Sequence, residues 1–186
     1  LLVTNGRASI GAAIAGLIVL VVFAKKGRIA RIPRTLRLGG GIAALALGAT
    51  LMFFMSAGST GRNIFWPAFL ELWQSSPLVG IGSSGISMSG GVTAQYGHAH
   101  NMYIDELARH GLLGFLTQYG AIALGIVIAF LAARRGFAGP LAIITTYLVT
   151  GVTEPRYGWM GISPTSMVIV LGVVAACVAL RQDSDP

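Results

Sequence analysis

Apolar residues along this 186-residue chain come in long unbroken runs, not in the every-other-residue alternation of a half-buried strand. Ala8 to Ala24 is the first run, Gly39 to Ala57 the second and Leu112 to Ala133 the third. Phe137 to Val152 is a shorter fourth, with Pro140 near its start, where a helix tolerates proline, and Pro164 to Leu180 is the fifth. At about 1.5 Å per residue, the first run just spans a hydrocarbon core of about 30 Å once its ends are counted. Lipid supplies no water to satisfy backbone N–H and C=O groups, so each run is predicted to be a helix. The expected fold is all-α: a polytopic membrane helix bundle of about five transmembrane helices.

Between the second and third runs lies a loop from about Gly58 to His110, the only sizeable stretch left outside the bilayer. Ser59 or Thr60 can cap a short helix from about Arg62 to Gln74, in which Phe65, Phe69, Leu72 and Trp73 recur at helical spacing beside Trp66. That is the pattern of a helix lying in the membrane interface, with Pro67 expected in its first turn. Ser75-Ser76-Pro77 ends it, and the Gly- and Ser-rich stretch from Gly80 to Gly91 reads as irregular chain. From Asn101 the pattern turns helical again. Asp105 and Arg109, four apart, can pair on one face, and Gly111 can end that turn or mark the junction with the third run.

Composition agrees with the runs. The chain is 54% hydrophobic and only 10% charged, where a soluble domain carries roughly 25% charged residues. Its formal charge of +7 does not point to nucleic acid, because the basic residues sit beside apolar runs and not on a polar domain with interleaved aromatics. The single cysteine, Cys177, falls in an apolar run and excludes an internal disulfide. Residue 1 is Leu and no cleavable signal pattern is evident, so the chain is expected to be the C-terminal part of a longer protein. Residues 1–186 then form a single membrane domain, with 58–110 an extracytoplasmic loop within it.

Charge also sets the orientation. Lys25, Lys26, Arg28, Arg31, Arg34, Arg37, Arg134, Arg135 and Arg181 account for nine of the thirteen basic residues. Placing them in the cytoplasm makes five helices alternate consistently, with the C-terminus inside. The other four, Arg7, Arg62, Arg109 and Arg156, then lie outside, together with His98, His100, His110, Glu71, Asp105, Glu106 and Glu154. One face collects the candidate chemistry.

Three motifs within that face could carry chemistry. Gly80-Ile-Gly82-Ser-Ser-Gly85 matches G-x-G-x-x-G, but the preceding parallel strand and the following helix that the pattern's mechanism needs are not expected here and the loop lies outside the cytoplasm, so a dinucleotide reading lacks its mechanism. His98-Ala-His100 invites a metal, with Asp105 or Glu106 as a further ligand, yet that spacing alone is weak and the set is incomplete. Acid–base chemistry fits better. A histidine takes and returns a proton near neutral pH, and arginines hold phosphate oxygens bidentately, so together they suit attack on a phosphate-activated substrate. Arg7, at the extracytoplasmic start of a membrane helix, stands where the positive-inside rule disfavours it; the plain alternative is an arginine snorkelling to lipid headgroups. Arg156 beside Glu154 has an equally plain alternative, a surface ion pair. Arg109 is read as the partner of Asp105.

His100-Asn101, nine residues and then Gly111-Leu-Leu-Gly114 resembles the His-Asn…Gly-x-x-Gly signature of the bacterial O-antigen ligase and O-antigen polymerase superfamily of membrane glycosyltransferases. Arg62 with Trp66, then Ser76-Pro77-Leu-Val-Gly80-Ile-Gly82, resembles that family's external arginine helix and the turn after it, although the family usually has leucine at the position of Trp66. Asn5-Gly6-Arg7-Ala8 is similar to a segment that opens a membrane helix further upstream. The resemblance spans about residues 4 to 116.

The resemblance implies a transferase at the outer, periplasmic face of the bacterial inner membrane. It takes a glycan from undecaprenyl diphosphate and gives it to lipid A–core or another acceptor hydroxyl, by an inverting reaction that uses no metal or other cofactor. It implies that His100 is the general base and that Arg62 and Arg7 bind the diphosphate and stabilise the leaving group. Arg156 and Glu154 match only by position in the last external loop; His98, Asn101 and Tyr103 are implied as substrate-positioning residues. The expected partners are the lipid-linked donor, a lipid or glycan acceptor, membrane lipids and the remainder of the chain N-terminal to residue 1, with no nucleic acid. The alternative within the superfamily is a repeat-unit polymerase. A different class, a membrane anion transporter fragment, is disfavoured because transporters place charges at mid-bilayer whereas the interiors of all five runs lack them.

Overall fold

A computed structural model describes residues 7–25, 27–43, 62–152 and 164–182, and among them every regular element is helical. In chain order these are α1 Arg7–Val22, α2 Gly27–Ala30, α3 at residues 34–43, α4 Arg62–Ser75, α5 Gly82–Met88, α6 Gly91–Tyr96, α7 Met102–Arg135, α8 Gly139–Gly151 and α9 Pro164–Gln182. They fall into two compact units, one of residues 1–57, 124–150 and 167–186, the other of residues 58–123 and 151–166. Among the described residues one helix, Met102–Arg135, is long and apolar enough to cross a membrane; Gly11–Val22, Gly139–Gly151 and Ile169–Arg181 are shorter apolar helices. Part of the second expected span, residues 44–57, lies outside the described residues.

The first unit is held by small residues. Ala129, Ala132, Ala133 and Ala176 are fully buried, Ala12 and Ala15 nearly so, and a Cβ added at Gly16 would collide with Thr146 Oγ1. Small side chains let helix backbones approach closely, the way helices associate where no hydrophobic effect draws them together. Leucines line the outside instead: Leu17, Leu124 and Leu171 are each about 60% exposed. Two arginines close helix ends. Arg37 Nη1 donates to the carbonyls of Val21, Val22 and Ala24 at 3.1, 3.2 and 2.6 Å, and Arg135 Nη1 donates to Leu180 O at 2.9 Å. Both meet the unsatisfied carbonyls, and the partial negative charge, of a helix C-terminus.

The second unit packs α4, α5, α6 and the start of α7 around Phe69, Ile86, Ala99 and Ala108, with Leu72, Ile81 and Ile104 against them. Two expectations need correction here. The Gly- and Ser-rich stretch is not irregular: it folds as α5 and α6, because Ile86 and Thr93 have a core to enter. Pro67 is not in a first turn but inside α4, whose helix runs on past it while Phe65 and Phe69 anchor the buried face. Ser59 and Thr60, the expected caps, lie outside the described residues.

The helix α7 breaks once, at Gly111 (φ +61°, ψ −166°). The segment after α4 crosses at the break. Leu112 N–H donates to Pro77 O at 2.8 Å, Leu113 N–H to Leu78 O at 3.0 Å, and Ile81 N–H to Ala108 O at 2.9 Å. Backbone groups orphaned by the interruption are thus satisfied by the crossing chain.

Candidate functional site

The start of α7 is fixed by Asn101. Its Oδ1 accepts from the N–H of Tyr103 at 2.9 Å and of Ile104 at 3.1 Å, the N-cap arrangement, and its Nδ2 donates to Val152 O at 3.1 Å. Asn101 is 7% exposed. The residue before the cap, His100, has φ +51°, a left-handed conformation that costs a non-glycine residue roughly 1–3 kcal/mol and that histidine adopts more readily than most.

An ion pair one turn into α7 holds the loop that carries the histidines. Arg109 Nε donates to Asp105 Oδ2 at 2.7 Å, and both side chains are buried. Asp105 Oδ1 accepts from the N–H of Ala99 at 3.1 Å, while Arg109 Nη2 donates to Gly97 O and Nη1 to Ser83 Oγ at 2.7 Å. Residues 97 and 99, on either side of His98, are therefore tied to the same two side chains. The i, i+4 pairing was legible in the sequence; the ties to Ser83 and to the loop backbone were not.

Within this frame the imidazoles of His98 and His100 meet edge to face, ring centroids 4.2 Å apart. The His100 ring also packs on Phe65 at 5.5 Å, and Phe65 packs on Tyr96 at 4.6 Å. Phe65 lies three residues, under one turn, beyond Arg62 in α4, so the helix that opens with Arg62 is the one that touches His100. His98 Nδ1 is buried with no hydrogen-bond partner among the described residues. Tyr103 stacks on Tyr119 at 5.1 Å.

A second titratable cluster occupies the next face of the same helix. His110 Nδ1 donates to Glu106 Oε1 at 2.7 Å, the carboxylate having only lone pairs to offer. With its amide nitrogen turned to the carboxylate, as hydrogen-bond complementarity demands, Gln118 donates to both Glu106 oxygens at 2.9 and 3.2 Å. Glu106 precedes the break at Gly111 and lies outside the apolar run; burial pushes its carboxyl above the ordinary value of 4.5, against the opposing pull of His110. Gly114 makes this possible, since a Cβ there would overlap that of His110. The signal for Gln118 was an amide side chain inside an apolar run, a placement that calls for a partner.

The remaining predicted site residues are described only in part. Arg7 and Arg62 open α1 and α4, but their side chains lie outside the described ones, and Arg7 belongs to the other unit. Glu154 and Arg156 lie outside the described residues. Among the described residues no three His, Cys, Asp or Glu side chains gather closely enough to hold a metal ion.

Comparison with known proteins adds one relationship. A family described as O-antigen ligase matches residues 1–118. No curated protein and no solved structure matches the chain.

Proposed function

The chain belongs to the O-antigen ligase family, whose match takes in residues 1–118 of its 186, and from that premise we propose a glycosyl transfer from undecaprenyl diphosphate to an acceptor hydroxyl, with His100 as the base. The family is one of membrane-integral, glycosyltransferase-type proteins of polysaccharide synthesis. On our reading the acceptor oxygen gives its proton to an imidazole nitrogen of His100 and attacks the anomeric carbon. The bond from that carbon to the diphosphate oxygen breaks on the opposite side, so configuration inverts. Arg62 and Arg7 hold the diphosphate and stabilise the charge that accumulates on it as it leaves.

The observation that carries this reading is the contact between His100 and Phe65, which joins the strained histidine to the helix that begins with Arg62. A base and a phosphate-binding arginine need to serve one reacting centre, and a shared helix and loop is how distant positions come together. His98, whose Nδ1 has no partner among the described residues, is a substrate-positioning residue in this scheme. Asn101 supports the loop as a helix cap, Tyr103 lines the same helix, and Glu154 and Arg156 are proposed to complete the site from the last external loop. We read residues 1–186 as one membrane domain of about five spans in the bacterial inner membrane. Residues 58–110 then face the periplasm.

The test is His100→Ala in the full-length protein, assayed for glycan transfer from the lipid carrier to lipid A–core. A loss of about 10²–10⁴-fold is expected for a general base. Transfer at the normal rate from normally accumulated protein would remove His100 from the chemistry and this reading with it.

A further inference from the structure

An open groove of about 360 Å³ runs along the second unit where α4 faces the α5–α6 corner, at the small end of the roughly 300–1,000 Å³ typical of ligand sites. Glu71, Leu72 and Ser75 form one wall; Ser89, Gly90 and Thr93 form the other. We infer that this groove binds the sugar chain of the lipid-linked substrate, through the Glu71 carboxylate and the flanking hydroxyls. The inference rests on the transferase reading above and adds to it the place of the glycan.

The chemistry of the walls selects the ligand. Glu71 is exposed, and its carboxylate has no hydrogen-bond or ion-pair partner among the described residues. The hydroxyl protons nearby are already engaged: Ser75 donates to Leu72 O at 2.6 Å, and of the Ser89 and Thr93 hydroxyls, 2.6 Å apart, one donates to the other while the other's proton goes to Ile86 O (2.7 Å from Ser89) or Gly90 O (3.0 Å from Thr93). What these side chains have left to offer is lone pairs. No lining residue is basic. Such a surface repels a diphosphate and accepts hydrogen bonds from neutral hydroxyl donors, which a sugar supplies in number. Leu72 and Val92 add apolar area for the C–H faces of the rings, and a Cβ built on Gly90 would meet no described atom within 4 Å apart from its chain neighbours.

Position supports the same occupant. Phe65 and Tyr96, packed together beside His100, belong to α4 and α6, the two helices that flank the groove. Glu71 and Ser75 lie six and ten residues beyond Phe65 on α4, roughly 9 and 15 Å along the axis at about 1.5 Å per residue. Thr93 lies one turn before Tyr96 on α6. The groove thus leads away from His100 along one helix pair, the direction in which a glycan attached at the reacting carbon has to extend.

The experiment uses the purified full-length protein and undecaprenyl diphosphate carrying the host's own glycan as donor. Glu71→Gln removes the charge and Ala68→Trp fills the groove, with Met88→Ala, exposed elsewhere, as control. Glu71→Gln is expected to raise the donor KM by about 10- to 100-fold, the loss of one hydrogen bond to a charged group, with the loss falling in KM and not in kcat. Undecaprenyl diphosphate without sugar, added as competitive inhibitor, is expected to bind Glu71→Gln as it binds the control. A donor KM unchanged in Glu71→Gln, or an equal loss of affinity for the sugar-free lipid, overturns the inference. His100→Ala, which should fall in kcat, separates the two claims: full activity there sinks the transferase reading, whereas a dead His100→Ala beside a normal Glu71→Gln sinks the groove alone.

Discussion

Gly80 and Gly111 meet backbone to backbone. A Cβ built on Gly80 would fall on the peptide between Arg109 and His110, and one built on Gly111 would fall on the carbonyl of Leu78. Both residues have positive φ, +69° and +61°. The crossing at the break in α7 therefore needs glycine at both positions, for conformation and for space alike. It ties the segment after α4 to the helix that carries the Asp105–Arg109 pair, and so supports the histidine loop from below.

Gly80→Ala and Gly111→Ala are each expected to destabilise the protein by about 2 kcal/mol or more, combining a strained left-handed residue with overpacking. Thermal unfolding in detergent measures it. Because both changes break the same crossing, the double variant should lose less than the sum of the two; full additivity would mean that the sites do not depend on each other.

Asn101 separates a capping role from a substrate-binding one. Asn101→Asp keeps an Oδ1 for the N–H groups of Tyr103 and Ile104, whereas Asn101→Ala leaves both unsatisfied at a cost of about 1 kcal/mol. Transfer activity is expected to follow the cap, with Asp above Ala. Equal loss in both would point to contact between the amide and substrate.

Arg109→Leu strands the buried Asp105 carboxylate and releases Ser83 and Gly97 together. A loss of about 3–5 kcal/mol is expected, the usual result of removing one partner of a buried pair. Arg109→Lys keeps the charge but not the fork that reaches three acceptors, so it should recover only part of the stability. Complete recovery by lysine would show that charge alone holds the loop.

Stability should depend on pH through Glu106. Burial raises its carboxyl in the folded protein above the ordinary value of 4.5, so the folded state binds the proton more tightly than the unfolded chain does. Its contribution is fully present below that ordinary value and is lost as pH rises through the folded one. Glu106→Gln, which still accepts from His110, should therefore gain stability relative to the parent as pH increases across that window. Denaturation midpoints at several pH values test the sign; a relative gain on acidification instead would mean that the pull of His110 outweighs burial.

Much of this protein was legible from one dimension. The apolar runs that became α1, α7, α8 and α9 follow from their length and composition, because in lipid a single run of that kind satisfies its backbone groups within itself only as a helix. Spacing alone likewise set Phe65 and Phe69 on one apolar face of a helix and paired Asp105 with Arg109, since residues four apart on a helix share a side; that the two rings are buried came from the tertiary structure. The tertiary structure decided what the glycines are for. Nothing local marks Gly80 as the partner of Gly111, or Gly114 as the space for His110, and the helices α5 and α6 exist only because Ile86 and Thr93 find a core assembled from distant segments. It also decided which ring lies against His100. Local periodicity reports which side of an element is apolar, but which elements meet depends on contacts between residues far apart in the chain, and those contacts leave no periodic trace.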